Sequence, residues 1–290
     1  MGRVFTFGCS FTSYSWVTWA DILCYGNNGI NLGQTGGGFE QISNKLVWAK
    51  HKYNITSEDL VVIVYPSLIR WDISNLDKLE DGSHVSTWSC WGQATSSDLV
   101  EYQHKLWTEE SCIHRSLNNI LLIKSFLERY GIPHITSAIM DVFEHTGNYI
   151  DTNNKTSNIT DHMDYIKKES PLDVIDFKNF LVGDSNEWMR EGIYTFKDSH
   201  DYHPTIKEHT KWLDEVLLPK IGLERKLTDE TIQELDRKVR SGEFNGLSDV
   251  SEFFDKQTNL LYQRQDTRLY FDDFDVEYPD PTKGFDFNLR

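Results

Sequence analysis

Val4-Phe5-Thr6-Phe7-Gly8-Cys9-Ser10-Phe11-Thr12 is a short apolar run that ends on a glycine and delivers a serine into a turn. The run reads as a buried strand, and the apolar residues Trp16, Trp19, Ala20 and Leu23 beyond it fall at helical spacing. A serine just past the carboxyl end of a first strand and ahead of a helix lies where open parallel sheets bind ligands. A helix N-terminus there favours negative charge. Ser10 is therefore a candidate nucleophile; the alternative is that Ser10 or Thr12 only caps the helix.

Working outward, two further runs, Leu60 to Tyr65 and Pro133 to Ala138, read as buried strands, with a shorter one near Gly29 to Asn31. Between them Phe39 to Lys50 and Ile113 to Tyr130 carry helical periodicity, the latter closed by Gly131. Strands alternating with helices predict a parallel sheet covered on both faces. Long polar interruptions, about 67–111 and 141–200, break the rhythm. Loops of such length carry function or disorder. The core, residues 1–223, is expected to close with a helix from Thr205 to Leu218, begun by a capping box of Thr205 and Glu208. Residues 224–290 form an acidic extension, with helical stretches at Asp229 to Arg240 and Asp249 to Arg264 and an aromatic, acidic tail.

Bulk properties narrow the function. The 290 residues are 39% hydrophobic and 26% charged, the balance of a soluble globular protein, and no apolar run approaches a bilayer span. A formal charge of −16 disfavours nucleic acid and anionic membrane surfaces as partners. Cys9, Cys24, Cys90 and Cys112 form no CxxC pair and read as reduced thiols. The start of the chain has no secretory pattern, so synthesis in a cytosol is expected and the sequons at Asn54, Asn154 and Asn158 carry little weight.

A nucleophilic serine needs a base, and the base an orienting acid. His203-Pro204 abuts the capped final helix, with Asp198, His200 and Asp201 just upstream. The competing reading makes His200, His203, Asp198 and Asp201 a metal site, which would crowd several ligands onto one short loop.

Together these residues resemble the SGNH or GDSL hydrolases. Gly8-Cys9-Ser10-Phe11-Thr12 is similar to the family's first block, with Cys9 where an aspartate is usual; its wording is also similar to that of phage-type members. Asn31-Leu32-Gly33-Gln34-Thr35-Gly36 is similar to the second, and the run continues through Gly37 and Gly38. The third block departs, since Tyr65-Pro66-Ser67 offers no asparagine and Ser67, Arg70 and Asp72 occupy the region. The last block, Asp-x-x-His in the family, here has Asp201 two residues before His203.

The resemblance implies a three-layer α/β/α flavodoxin-like sandwich with a mostly parallel sheet, plus a helical and extended C-terminal appendage. It implies Ser10 as nucleophile, His203 as base and Asp201 as acid, with Asp198 as substitute. The amides of Ser10 and Gly36 would hold the oxyanion, with Gly37 open as an alternative and a plain glycine turn as the bland one. Ser67 would stand in for the missing donor, and Arg70 would pair with Asp72 or bind an anionic substrate group. No metal or organic cofactor is needed. The expected substrate is an ester, best an O-acetyl group on carbohydrate, because aromatic residues make up 13% of the chain and Trp71, Trp88, Trp91 and Trp107 flank or lie in the first insertion. Packing of that insertion accounts for them equally well. A second reading is a catalytically degenerate structural or glycan-binding protein, a virion component or homo-oligomer docked through residues 224–290.

Overall fold

The computed structural model describes residues 2–66, 68, 70, 72–78, 84–89, 109–139, 194–196, 199–201, 203–244, 249–250, 252–254 and 269–270. Four strands, β1 (Val4–Gly8), β2 (Gly29–Asn31), β3 (Leu60–Tyr65) and β6 (His134–Ala138), form one sheet in the order β2-β1-β3-β6. Every pairing in it is parallel. Parallel neighbours need crossovers. Helices α1 (Trp19–Cys24), α2 (Phe39–Lys52) and α3 (Glu109–Arg129) lie in the three connections, so the chain is α/β, as the alternation predicts.

Why the sheet is buried on both faces follows from the pleat. In β3, Leu60, Val62 and Val64 enter one apolar cluster while Val61, Ile63 and Tyr65 enter another. The first cluster contains α1 through Trp19, Ala20, Ile22 and Leu23; the second contains Phe39, Ile42 and Leu46 of α2 and Leu117, Ile120 and Leu127 of α3. Helix α3 starts at Glu109, four residues ahead of the predicted Ile113. Glu109 and Glu110 add no apolar periodicity, but negative charge suits a helix N-terminus.

In the first interruption, β4 (Ile73–Lys78) and β5 (His84–Ser89) pair antiparallel, a ribbon the polar sequence did not announce. A two-residue strand β9 (Leu269–Tyr270) from the far end of the chain pairs with β5. In the second, β7 (Tyr194–Phe196) and β8 (Ser199–Asp201) form a hairpin. The remainder of 141–200 lies outside the described residues.

After Pro204, the predicted helix is present as α4 (Ile206–Trp212), a π-helical turn (Leu213–Leu217) and α5 (Leu218–Ile221), closed by left-handed Gly222. Pro219 sits in the first turn of α5, where it lacks an N–H to continue an α ladder. Helix α6 (Asp229–Ser241) follows. The stretch after Gly222 contributes Leu227, Ile232, Leu235, Val239, Phe244, Val250 and Phe254 to the same cluster as Trp16, Trp19 and Val62. The rest of the predicted helix to Arg264 lies outside the described residues. Among the described residues no helix is long and apolar enough to cross a membrane.

Candidate active site

Strand β1 ends at Gly8, and the chain turns at once: the amides of Thr12 and Ser13 both donate to the Cys9 carbonyl. Only glycine fits at that exit. A Cβ on Gly8 would stand 2.1 Å from Thr12 Oγ1 and 2.7 Å from the Val64 carbonyl oxygen. The turn leaves Ser10 at the carboxyl edge of the sheet, 4% exposed.

Four buried side chains hold this turn from beneath. The Asn31 amide nitrogen donates to the Thr12 carbonyl at 2.8 Å and to Asp21 Oδ1 at 2.7 Å, while its oxygen accepts from Thr6 Oγ1 and the Gly33 amide. Thr18 Oγ1 donates to the same Thr12 carbonyl at 2.6 Å, and Asp21 Oδ2 accepts from the Thr18 amide at 2.8 Å. All of the hydrogen-bonding capacity of Asn31 is used. Sequence reading gave Asn31 and Asp21 no role; the Thr18-x-x-Asp21 spacing of a capping box was the signal available for the latter.

His203 arrives from the other end of the chain. Its Nε2 lies 2.8 Å from Ser10 Oγ, across 193 positions of sequence. The Thr205–Glu208 capping box forms as predicted, with the Thr205 amide donating to Glu208 Oε2 at 2.7 Å, so the helix cap lies two residues after the histidine. The His203 ring lies against Tyr14, Phe11 and Trp16, and Trp16 Nε1 donates to the Pro204 carbonyl at 2.9 Å. Neighbouring His209 is fully buried; desolvation, with the His203 charge adding, pushes its imidazole down to about 3.

The glycine loop between β2 and α2 is the third part. Gly36 adopts φ 79°, in the left-handed region. The Gly37 amide donates to the Gln34 carbonyl and the Gly38 amide to Asp72 Oδ1 at 2.6 Å. The Gly36 amide makes no hydrogen bond to another described residue, whereas that of Gly37 is taken by the Gln34 carbonyl. Arg70 and Asp72 do not pair with each other as expected. Arg70 Nη1 donates to the Gly37 carbonyl at 3.0 Å, and Asp72 accepts from Gly38 and Gln41, capping α2. The physical reason is the first turn of α2, whose unsatisfied amides are the nearer partners for a buried carboxylate. Burial pushes the Asp72 carboxyl up to about 6.

A small cavity beside this loop is lined by Phe39, Glu40, Arg70, Asp72, Arg115, Ser116 and Asn119. Within it, Arg115 bonds to Glu40 Oε1 through two nitrogens. Asp201 is the last residue of β8, two positions before His203. Ser67, Asp198, Trp71, Trp91 and Trp107 lie outside the described residues, and Trp88 is placed in β5 opposite Ser74. The structure thus brings Ser10 and His203 together.

Chemically, an imidazole nitrogen at hydrogen-bond distance from a serine hydroxyl can take its proton as the oxygen attacks. No family model matches this chain, and no curated protein matches it.

Proposed function

We propose that the chain is a serine ester hydrolase of the SGNH type, on a three-layer α/β/α flavodoxin-like core. The observation that carries the reading is the 2.8 Å contact between His203 Nε2 and Ser10 Oγ at the carboxyl edge of a parallel sheet. In the reaction His203 takes the Ser10 proton as Oγ attacks an ester carbonyl, giving a tetrahedral intermediate. The Ser10 and Gly36 amides receive the oxyanion, and His203 returns the proton to the departing alcohol. Water then repeats the sequence on the acyl-enzyme. Asp201 is the proposed acid, by its place in sequence before His203. The proposed substrate is an O-acetyl ester of a carbohydrate.

One observation favours the second reading, a slow or degenerate binding protein on the same scaffold. Arg70 and Asp72, in the region of the third block, are both committed to the glycine loop. An oxyanion hole short of one donor costs about 100- to 1000-fold in turnover.

Labelling with a fluorophosphonate, followed by peptide mass spectrometry, tests the proposal. An adduct confined to Ser10, lost in Ser10→Ala and reduced at least about a hundredfold in rate in His203→Ala, is the expected result. No adduct on folded protein, or undiminished labelling of Ser10→Ala, overturns it.

A further inference from the structure

The imidazole of a serine hydrolase must keep one nitrogen aimed at the hydroxyl while it gains and loses a proton. Two constraints on His203 are visible in the backbone: Pro204 restricts the residue before it to extended conformations, and the capped α4 begins immediately afterwards. Neither fixes rotation of the ring about its own side-chain bonds. What lies against the ring is a set of aromatic side chains from the nucleophile's own loop. Tyr14 stacks on it with ring centroids 3.8 Å apart and planes 21° from parallel. Phe11 meets it at 5.3 Å, tilted by 50°, and Trp16 stands edge-on at 6.5 Å. Trp16 also packs edge-on against Tyr14 at 4.6 Å and tethers the Pro204 carbonyl through its indole nitrogen. Trp16 is 1% exposed and Phe11 7% exposed, so both walls are fixed by the core.

We infer that Tyr14, backed by Trp16, is a positioning residue of His203 beside the proposed acid, holding the imidazole against Ser10 and facing the charge that develops on it during acyl transfer. The inference rests on the esterase reading for its kinetic consequence. Two physical effects act together. A stacked ring blocks rotation of the imidazole out of line with Ser10 Oγ. The electron-rich face of the phenol also meets the positive charge that develops when the Ser10 proton reaches Nε2. Both depend on the ring of Tyr14 and neither on its hydroxyl. Nucleophile and base are thereby aligned by one short segment, residues 10–16, which explains how a base 193 positions away keeps register with Ser10.

The experiment compares wild type, Tyr14→Leu and Tyr14→Phe. Tyr14 is only half-buried, so the leucine is expected to fold, checked by thermal unfolding. Fluorophosphonate labelling is resolved into its inactivation rate and its binding constant. Tyr14→Leu is expected to lower the inactivation rate about tenfold with the binding constant within about twofold, and Tyr14→Phe to restore it. A wild-type rate in Tyr14→Leu, or equal loss in Tyr14→Phe, overturns the inference. The second readout needs no esterase activity. Carbethoxylation by diethylpyrocarbonate, mapped to His203 among the ten histidines, should be several-fold faster in Tyr14→Leu and unchanged in Tyr14→Phe. Equal rates in all three proteins overturn it. If wild-type Ser10 takes no label, the esterase reading falls, and the carbethoxylation rates still decide whether Tyr14 holds the ring.

Discussion

The serine turn and the glycine loop meet the candidate site from neighbouring strands, yet they are held in place by different means. Residues 9–13 rest on Asn31, Thr18 and Asp21, all buried and all drawn from the β1-α1-β2 unit that contains the turn. Residues 34–38 are tied to the serine turn through the Gln34 amide on the Gly8 carbonyl and Thr35 Oγ1 on the Ser13 carbonyl, and in addition to Arg70 and Asp72, which lie beyond β3, more than thirty positions along the chain. One loop is secured by the folding of its own unit, the other needs in addition a later segment that carries charge. The position of Ser10 should then be as stable as the core, and the geometry of the glycine loop separately adjustable.

That contrast is open to direct attack. The largest effect is expected from Asn31→Leu, which takes the Asn31 amide from the Asp21 carboxylate and the Thr12 carbonyl, unpairs the Gly33 amide and leaves Thr6 Oγ1 only its contact with Cys24 Sγ. A loss of about 3–5 kcal/mol in urea unfolding is expected, with Ser10 labelling reduced in parallel. A change below about 1 kcal/mol would remove the distinction between the two loops. Next comes Asp72→Ala, which strips the first turn of α2 of its cap and should cost about 1–2 kcal/mol. Its labelling rate should fall further than its stability, because the Gly38 amide is released beside Gly36. Arg70→Ala, on a partly exposed side chain with one bond to a carbonyl, should cost under about 1 kcal/mol.

The smallest effect is a pH slope. Burial raises the Asp72 carboxyl from 3.8 to about 6 and lowers the His209 imidazole from 6.5 to about 3. On acidification between these limits the unfolded chain protonates His209 while the folded protein does not, so stability is lost. The folded protein protonates Asp72 before the unfolded chain does, so stability is gained. The two oppose each other between about pH 6 and 4. Asp72→Asn removes the gain, and its melting temperature should fall more steeply with acid than that of wild type. Parallel curves would show that Asp72 does not titrate in this window.

Much of the fold was readable because its signals are local. Leu60 to Tyr65 is apolar at every position, and Thr205 and Glu208 sit at the spacing of a capping box, so neither needs knowledge of distant residues. The β4-β5 ribbon was not readable. Ile-Ser-Asn-Leu-Asp-Lys and His-Val-Ser-Thr-Trp-Ser show no alternation that marks a half-buried strand, and their order comes from pairing with each other and with β9. The stretch after Gly222 looked separate because its composition turns acidic. The faces that carry Leu235 and Val239 nevertheless belong to the main core, since an amphipathic helix needs only one apolar stripe to join it.

By itself the sequence determined an α/β chain with a serine after the first strand and a histidine before a capped helix near the end of the core, because hydrophobic period and capping are written in neighbouring residues. Only the tertiary structure decided that His203 reaches Ser10, that Gly36 rather than Gly37 keeps its amide unpartnered among the described residues, and that Asp72 caps a helix instead of pairing with Arg70. Each of those outcomes is a competition among partners far apart in sequence, and distance in space, set by the packed sheet, is what settles it.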